Sequence, residues 1–210
     1  INASQSGTWF DIPVASNQGL FTDLPAQTTP ARPAITNRTT WYNRLYAAGS
    51  AAGTRYTPLR SALRDAGEYF SDSSATGPYS NGGGVDEAQY SCRQNFAILT
   101  TDGYWNRDTS GLSVGNADGT AGPNGYVVEA PYRDGSTASR SNTLADVAMH
   151  YWKSDLRTDL VNDVPTSEGN RAFWQHMVTF GISIGLQGNV NPDGPFPGQA
   201  GGLANWPDPH

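Results

Sequence analysis

Apolar and polar positions along this chain follow two different periods, and the switches between them mark its elements. Leu59, Leu63, Ala66 and Phe70 recur at spacings of four, three and four, which predicts a helix over 58–71 with Arg60, Arg64, Asp65 and Glu68 on its other face. Thr57 stands where a cap belongs, and Pro58 takes the first helical position, where its missing N–H costs nothing. Leu144, Val147, Ala148 and Tyr151 predict a second helix over 143–156. A shorter one begins at Thr39, with Trp41, Leu45 and Tyr46 at helical spacing and Gly49 and Gly53 closing the segment. Two stretches read as strands. The run from Asn95 to Thr101 is almost continuously apolar, as in a strand buried on both faces, and it ends in Asp102-Gly103. From Met177 to Leu186 bulky Val178, Phe180, Ile182, Ile184 and Leu186 alternate with Thr179, Gly181, Ser183 and Gly185, as expected of a strand with a helix packed close on its small side.

The intervening stretches lack a period. Residues 1–38 read as irregular with one strand at most, and 72–91 as a polar loop. Residues 103–141 read as a long Gly-rich insertion with a small strand at 125–129, and 187–210 as a Gly/Pro-rich linker. Helix and buried strand in alternation predict an α/β sandwich with a mainly parallel sheet. Ligands of such sheets sit at the carboxyl ends of the strands, where Asp102 is placed.

Composition narrows the function. The 210 residues suit one domain, and 24 glycines with 14 prolines make up about 18% of them, against a globular average of roughly 12%, which favours long ordered loops. With 13 basic and 19 acidic residues the net charge is -6, which excludes a general phosphate-binding surface and with it a nucleic-acid partner. No apolar run reaches the roughly 18 residues of a membrane span, and the residues after Ile1 do not form a secretory signal. Cys92 is the one cysteine, so it has no disulfide mate within the sequence.

Several motifs carry candidate chemistry. Gly111-Leu-Ser113-Val-Gly115 matches the nucleophile elbow of serine hydrolases, but that chemistry needs a strand before the serine and a helix after it, and the flanks read as loop. Asp155, Asp159 and Asp163 are spaced by four with Arg157 among them, which reads as a solvated helix face. The turn sequences 116–119 and 191–194 lack the closing Glu of a calcium loop. Thr57 and Asp102 remain: a hydroxyl and a carboxylate on neighbouring loops at the top of a sheet are suitable oxygen ligands for Mg²⁺ or Ca²⁺, while the alternative is a helix cap and a turn residue.

The segment Ser91-Cys-Arg-Gln-Asn-Phe-Ala-Ile-Leu-Thr-Thr-Asp-Gly-Tyr-Trp-Asn106 resembles the characteristic segment of the PilY-type family, the type IV pilus biogenesis factors and tip adhesins also called PilC-like. Three further segments agree in the same order, Thr57 to Leu63, Asn142 to Tyr151 leading to Asp155–Leu160, and Trp174 to Phe180, and the closing Asn205-Trp-Pro-Asp-Pro209 resembles the stretch just before the family's C-terminal propeller. The resemblance covers most of residues 55–210. It implies a von Willebrand factor A-like, Rossmann-type three-layer sandwich over 1–186, in a protein that passes through the periplasm to the pilus tip or outer cell surface. There it would work in adhesion and pilus assembly, with minor pilins and a host or surface ligand as partners and no catalytic role.

The family's metal-ion-dependent adhesion site is built from Asp-x-Ser-x-Ser after the first strand, a Thr on a second loop and an Asp at the end of the fourth strand. Thr57 and Asp102 match the last two elements, and the first is not found between Ile1 and Thr57. The expectation is therefore an incomplete cation site and a sheet lacking its first, central strand. The chain would be a piece of a longer protein, with an N-terminal part and a C-terminal propeller elsewhere, and would not fold stably alone. The same resemblance implies a periplasmic, oxidising compartment, hence a disulfide from Cys92 to a cysteine outside this segment, with a buried unreactive thiol as the alternative. Two rival functions stay open, a purely structural docking domain for minor pilins and a secreted hydrolase using Ser113.

Overall fold

Short backbone ladders come first among the described residues, in a region whose side chains show no alternation. A computed structural model describes residues 21–29, 31–47, 57–74, 77–80, 89–101, 112–118, 140–185, 194–195 and 200–201. Strands β1 (Asp23–Leu24) and β4 (Ile35–Thr36) pair antiparallel, and β2 (Gln27–Thr28) pairs with β3 (Ala31–Arg32) between them. The sequence reading of one strand at most is corrected here, because two-residue ladders need no apolar period to form. Helix α1 (Asn37–Ala47) follows and begins two residues before the expected Thr39. Its start is set from a distance: the Asp23 carboxylate accepts the Thr39 N–H at 3.0 Å and the Thr39 hydroxyl at 2.7 Å, which satisfies an amide of the first turn. Those two bonds, the backbone one first, hold the Asp23 carboxyl below its ordinary pKa. Gly49 and Gly53 lie outside the described residues.

Helix α2 (Leu59–Phe70) matches the amphipathic pattern, with Leu59, Ser61, Leu63 and Gly67 buried. It ends where Ser71 turns its amide back to Gly67 and Glu68, and the Asp72 side chain then closes a local turn by accepting the Ser74 N–H at 2.8 Å. Helix α3 (Leu144–Lys153) has a reciprocal cap, in which Thr143 Oγ1 accepts the Asp146 N–H while Asp146 Oδ2 accepts the Thr143 N–H. It stops three residues before the expected Leu156 because Ser154 takes extended backbone, φ -87° and ψ 139°.

Strand β5 (Asn95–Thr101) falls where the apolar run predicts it, and β6 starts at the expected Met177 and runs to Ser183. The two are parallel neighbours in register from Asn95 against Met177 to Thr101 against Ser183. Helices and a small parallel sheet make the fold α/β. Leu63, Val147, Tyr151 and Met177 form its core, joined by Ala66, Phe70, Ala97 and Ala148 from the helices and β5. Burying each of these large side chains contributes about 1.5–3 kcal/mol.

The sheet corrects the sequence on burial. Its helix-facing side carries Ala97 and Met177, whereas Phe96, Ile98, Phe180, Ile182 and Ile184 on the bulky side are exposed, Ile98 to 67%. β5 is thus buried on one side and not on both. Among the described residues nothing lies within 4 Å of a Cβ placed at Gly181, so none of the described helices presses on its missing side chain. Gly67 is the position where a glycine admits a neighbour: a Cβ there would lie 2.2 Å from Tyr151 Cδ1, so the Tyr151 ring of α3 rests directly on the α2 backbone. The polar loop expected over 72–91 also changes character, since Gly77 to Ser80 are buried and Tyr79 has no exposed surface.

The insertion over 103–141 lies outside the described residues except at 112–118 and 140–141, as do the strand expected at 125–129 and most of the linker over 187–210. The piece 112–118 is tied to α3 through Asn142, which sits at φ 59° and exchanges bonds with Gly115. Asn142 N–H donates to Gly115 O at 2.8 Å, and its Oδ1 accepts the Gly115 N–H at 2.9 Å.

Candidate functional site

β5 runs six residue steps from Asn95 to Thr101, about 20 Å, so its two ends form separate chemical environments. At the carboxyl end the sequence places Thr57 and Asp102. Thr57 is half-buried just before α2; the cap position itself falls to Pro58, and the Thr57 carbonyl accepts the Leu59 N–H at 3.0 Å. The helix-cap role read for Thr57 is thereby corrected by one residue. Asp102 lies outside the described residues, immediately after Thr101, whose carbonyl accepts the Ile184 N–H at 2.9 Å. Among the described residues no three His, Cys, Asp or Glu side chains gather as a metal-binding group. Cys92 is exposed in this chain, three residues before β5.

The amino end holds a polar assembly that the residue pattern did not reveal. Asn95 Nδ2 donates to the Tyr79 hydroxyl oxygen at 2.5 Å and to the His176 carbonyl at 3.0 Å. The Arg157 guanidinium lies 5.0 Å from the centre of the Tyr79 ring, grips both oxygens of Asp159 at 2.9 and 2.7 Å, and donates to the Asp72 carbonyl at 3.3 Å. Arg157 is 1% exposed, so the reading of the Asp155–Asp163 spacing as a solvated helix face is corrected. The helix has already ended at Lys153; Asp155 serves a turn by accepting the Arg157 N–H, and Asp163 accepts the hydroxyl of the distant Ser91. Asp159 in turn raises the pKa of Arg157, and Arg157 lowers that of Asp159. Burial pushes the Tyr79 phenol up, which keeps it neutral and able to lie under the cation.

Gln175, fully buried, donates to the carbonyls of Ser91 at 2.8 Å and Val161 at 2.7 Å. Lys153 on α3 reaches the Ala117 carbonyl, while Asp146 accepts the Ala117 N–H at 2.8 Å. Burial lowers the Lys153 pKa, against the opposing pull of Asp118 and Asp146. These contacts fasten the loops 77–80, 89–94, 112–118 and 154–176 to the sheet and to α3. The cap that orients Asp146 was legible in principle, because Thr143-x-x-Asp146 is a capping-box spacing. Apart from the short links of Arg157 to Asp155 and Asp159, the contacts join residues far apart in sequence and have no local signal.

The arrangement does not meet the geometry of a serine hydrolase. Ser113 is exposed in irregular backbone with no helix following it over 114–118, and both ring nitrogens of His176 are engaged with Trp174 and Asn170. No helix among the described residues is long and apolar enough to cross a membrane.

No protein-family model matches the chain, and no solved structure matches it. Curated relatives do. The type IV pilus biogenesis factor PilY1 of Pseudomonas aeruginosa strain PAK is 37% identical in an alignment 181 residues long that covers 72% of this chain and 15% of that protein. The PilY1 proteins of strains PAO1 and UCBPP-PA14 are 41% and 33% identical, each over 62% of this chain and 12% of their own length. The chain thus spans less than a fifth of the length of these relatives. The resemblance read from residues 55–210 is thereby shown, and the chain is related to a segment of the PilY-type family of type IV pilus biogenesis factors.

Proposed function

We propose that this chain is the binding and assembly module of a longer type IV pilus-associated adhesin, with no catalytic role. The observation that carries the reading is the 37% identity over 181 residues to a type IV pilus biogenesis factor. The α/β arrangement supports a von Willebrand A-like, three-layer sandwich over 1–186, since β5 and β6 are parallel and α2 begins two residues after Thr57. In this reading Thr57 and Asp102 contribute to a Mg²⁺ or Ca²⁺ site that other polypeptide completes, and a carboxylate of the ligand fills the cation's open position. The module passes through the periplasm to the pilus tip or outer cell surface, and its partners are minor pilins, a host or surface ligand and the rest of its own protein, the N-terminal part and the propeller.

Calorimetric titration of the longer protein with Ca²⁺ and with Mg²⁺ tests the site. Thr57→Ala and Asp102→Asn should each remove one bound cation or weaken it at least tenfold; cation binding unchanged by both substitutions would contradict it. Cys92, exposed beside β5, is proposed as one half of a disulfide to a cysteine elsewhere in that protein. Peptide mapping without reductant should find it bridged, and a freely alkylated Cys92 in secreted material would refute the bridge.

A second reading, docking onto minor pilins without metal, is favoured by the exposed side of the sheet. Phe96, Ile98, Phe180, Ile182 and Ile184 form an apolar side on a parallel pair, and parallel sheets are ordinarily covered on both faces. Minor-pilin binding that survives chelation of divalent cations and is lost in Ile98→Glu would select this reading over the first.

A further inference from the structure

The hydrogen bonds around His176 fix both its tautomer and its charge. The Trp174 carbonyl can only accept, so Nδ1, at 2.6 Å from it, carries the hydrogen and Nε2 holds a lone pair. Asn170 Nδ2 donates to that lone pair at 2.8 Å. The Asn170 amide is fixed from its other end as well, where Oδ1 accepts the Trp152 indole N–H at 3.2 Å and the Ala172 N–H at 3.3 Å. A second proton on the imidazole would therefore set an N–H against the Asn170 NH₂. Turning the amide to offer its oxygen would set that NH₂ against the Trp152 and Ala172 donors. His176 is 2% exposed, so water does not solve the conflict.

Among the described residues nothing packed against the ring offsets the charge. The indoles of Trp152 and Trp174 are each 6.3 Å from the imidazole, beyond the roughly 6 Å at which an aromatic ring stabilises a cation. β5 and β6 carry no charged residue. The charged and titratable groups of α3 (Asp146, His150, Lys153) and of the segment after it (Asp155, Arg157, Asp159, Asp163, Glu168, Arg171) do not enter the titration of His176, which burial lowers against the opposing effect of the Trp174 carbonyl.

We propose that Trp152, Asn170, Trp174 and His176 form an acid-sensitive latch, which fastens the loop 164–173 between α3 and the start of β6 while His176 is neutral and releases it when His176 is protonated. The loop closes on itself, and from outside the latch Gln94 Nε2 also reaches it, donating to the Pro165 carbonyl at 3.1 Å. Val164 N–H donates to Phe173 O at 3.0 Å and Ser167 N–H to Asn170 O at 2.7 Å, so its base and tip are closed on themselves. The sign follows from the imidazole: the open state takes up a proton near pH 6.5 and the closed state only at lower pH. Closure is at full strength above pH 6.5. Below it the opening constant rises, at most tenfold per pH unit, until the closed-state pKa is reached.

Hydrogen exchange of the longer protein, read by mass spectrometry and corrected for the intrinsic pH dependence of exchange, tests the latch. Peptides over 164–173 should exchange several-fold faster at pH 5.5 than at pH 7.5, with peptides over α3 and β5 unchanged. Asn170→Asp should abolish or reverse this, because a carboxylate accepts from the imidazolium and still accepts from Trp152 and Ala172. His150→Gln, at the histidine within α3, should leave it intact. Equal protection at the two pH values, the same acid acceleration in Asn170→Asp, or its loss in His150→Gln would each overturn the proposal.

Discussion

Replacing Arg157 by methionine is expected to lower the unfolding free energy by about 2–3 kcal/mol, a drop in Tm of roughly 5–10 °C for a domain of this size. The side chain is 1% exposed and joins distant segments: it covers the Tyr79 ring and supports the Asp72 carbonyl after α2, while locally it closes the 157–159 turn on Asp159. Asp159 is itself 55% exposed, so its charge remains solvated in the variant and the loss comes from the Tyr79 contact and the unsupported Asp72 carbonyl. For the same reason Asp159→Asn should cost only about 1 kcal/mol, in the range of exposed ion pairs. Arg157→Lys should be at least as damaging as Arg157→Met, because an ammonium cannot spread over the ring and grip both carboxylate oxygens, and it leaves a buried charge with fewer partners. Chemical denaturation of the three variants checks the order. A methionine variant within 0.5 kcal/mol of the parent would show that the polar assembly at the amino end of β5 is dispensable.

The second large effect is expected at Gly67. Alanine there gains about 1 kcal/mol of helix propensity, yet its Cβ would fall 2.2–2.4 Å from three ring atoms of Tyr151. Either the ring leaves the core it shares with Leu63, Val147 and Met177, or α2 and α3 separate; the net loss is about 2 kcal/mol. With Tyr151→Leu as background the same change should become neutral or stabilising, and a double-mutant cycle isolates the coupling. If Gly67→Ala were equally harmless in both backgrounds, the close contact between the two helices would be wrong. Burial also carries the Tyr151 pKa to about 12, so its phenol stays neutral through the range in which such measurements are made.

Local pattern reveals elements well and partners poorly, and these two residues show why. The bounds of β5 follow from its apolar run, and the start of β6 and the amphipathic face of α2 from their periods. Which side of a strand is covered is another matter. Phe96 and Ile98 look like core residues by type, but the sheet side they occupy is exposed. Arg157 sits in an acidic, four-spaced stretch that imitates a helix face, and the end of α3 at Ser154 is marked by neither glycine nor proline. Tyr79 lies in a Ser/Gly/Asn stretch, and only the distant Arg157 and Asn95 make it a core residue. As for the candidate site, the sequence marks Thr57 by its place before a helix and a Pro, and Cys92 by its being single. The contacts of His176 could not be read, because its partners come from α3 and from a loop with no period.

The central claim is that this chain is a working part of a pilus-associated protein, and one measurement tests it most directly. In a type IV piliated strain whose own PilY-type gene is deleted, the longer protein should restore surface pili and twitching motility. The same protein lacking residues 57–185, secreted at equal level, should restore neither. Full recovery of both by the truncated protein would contradict the account.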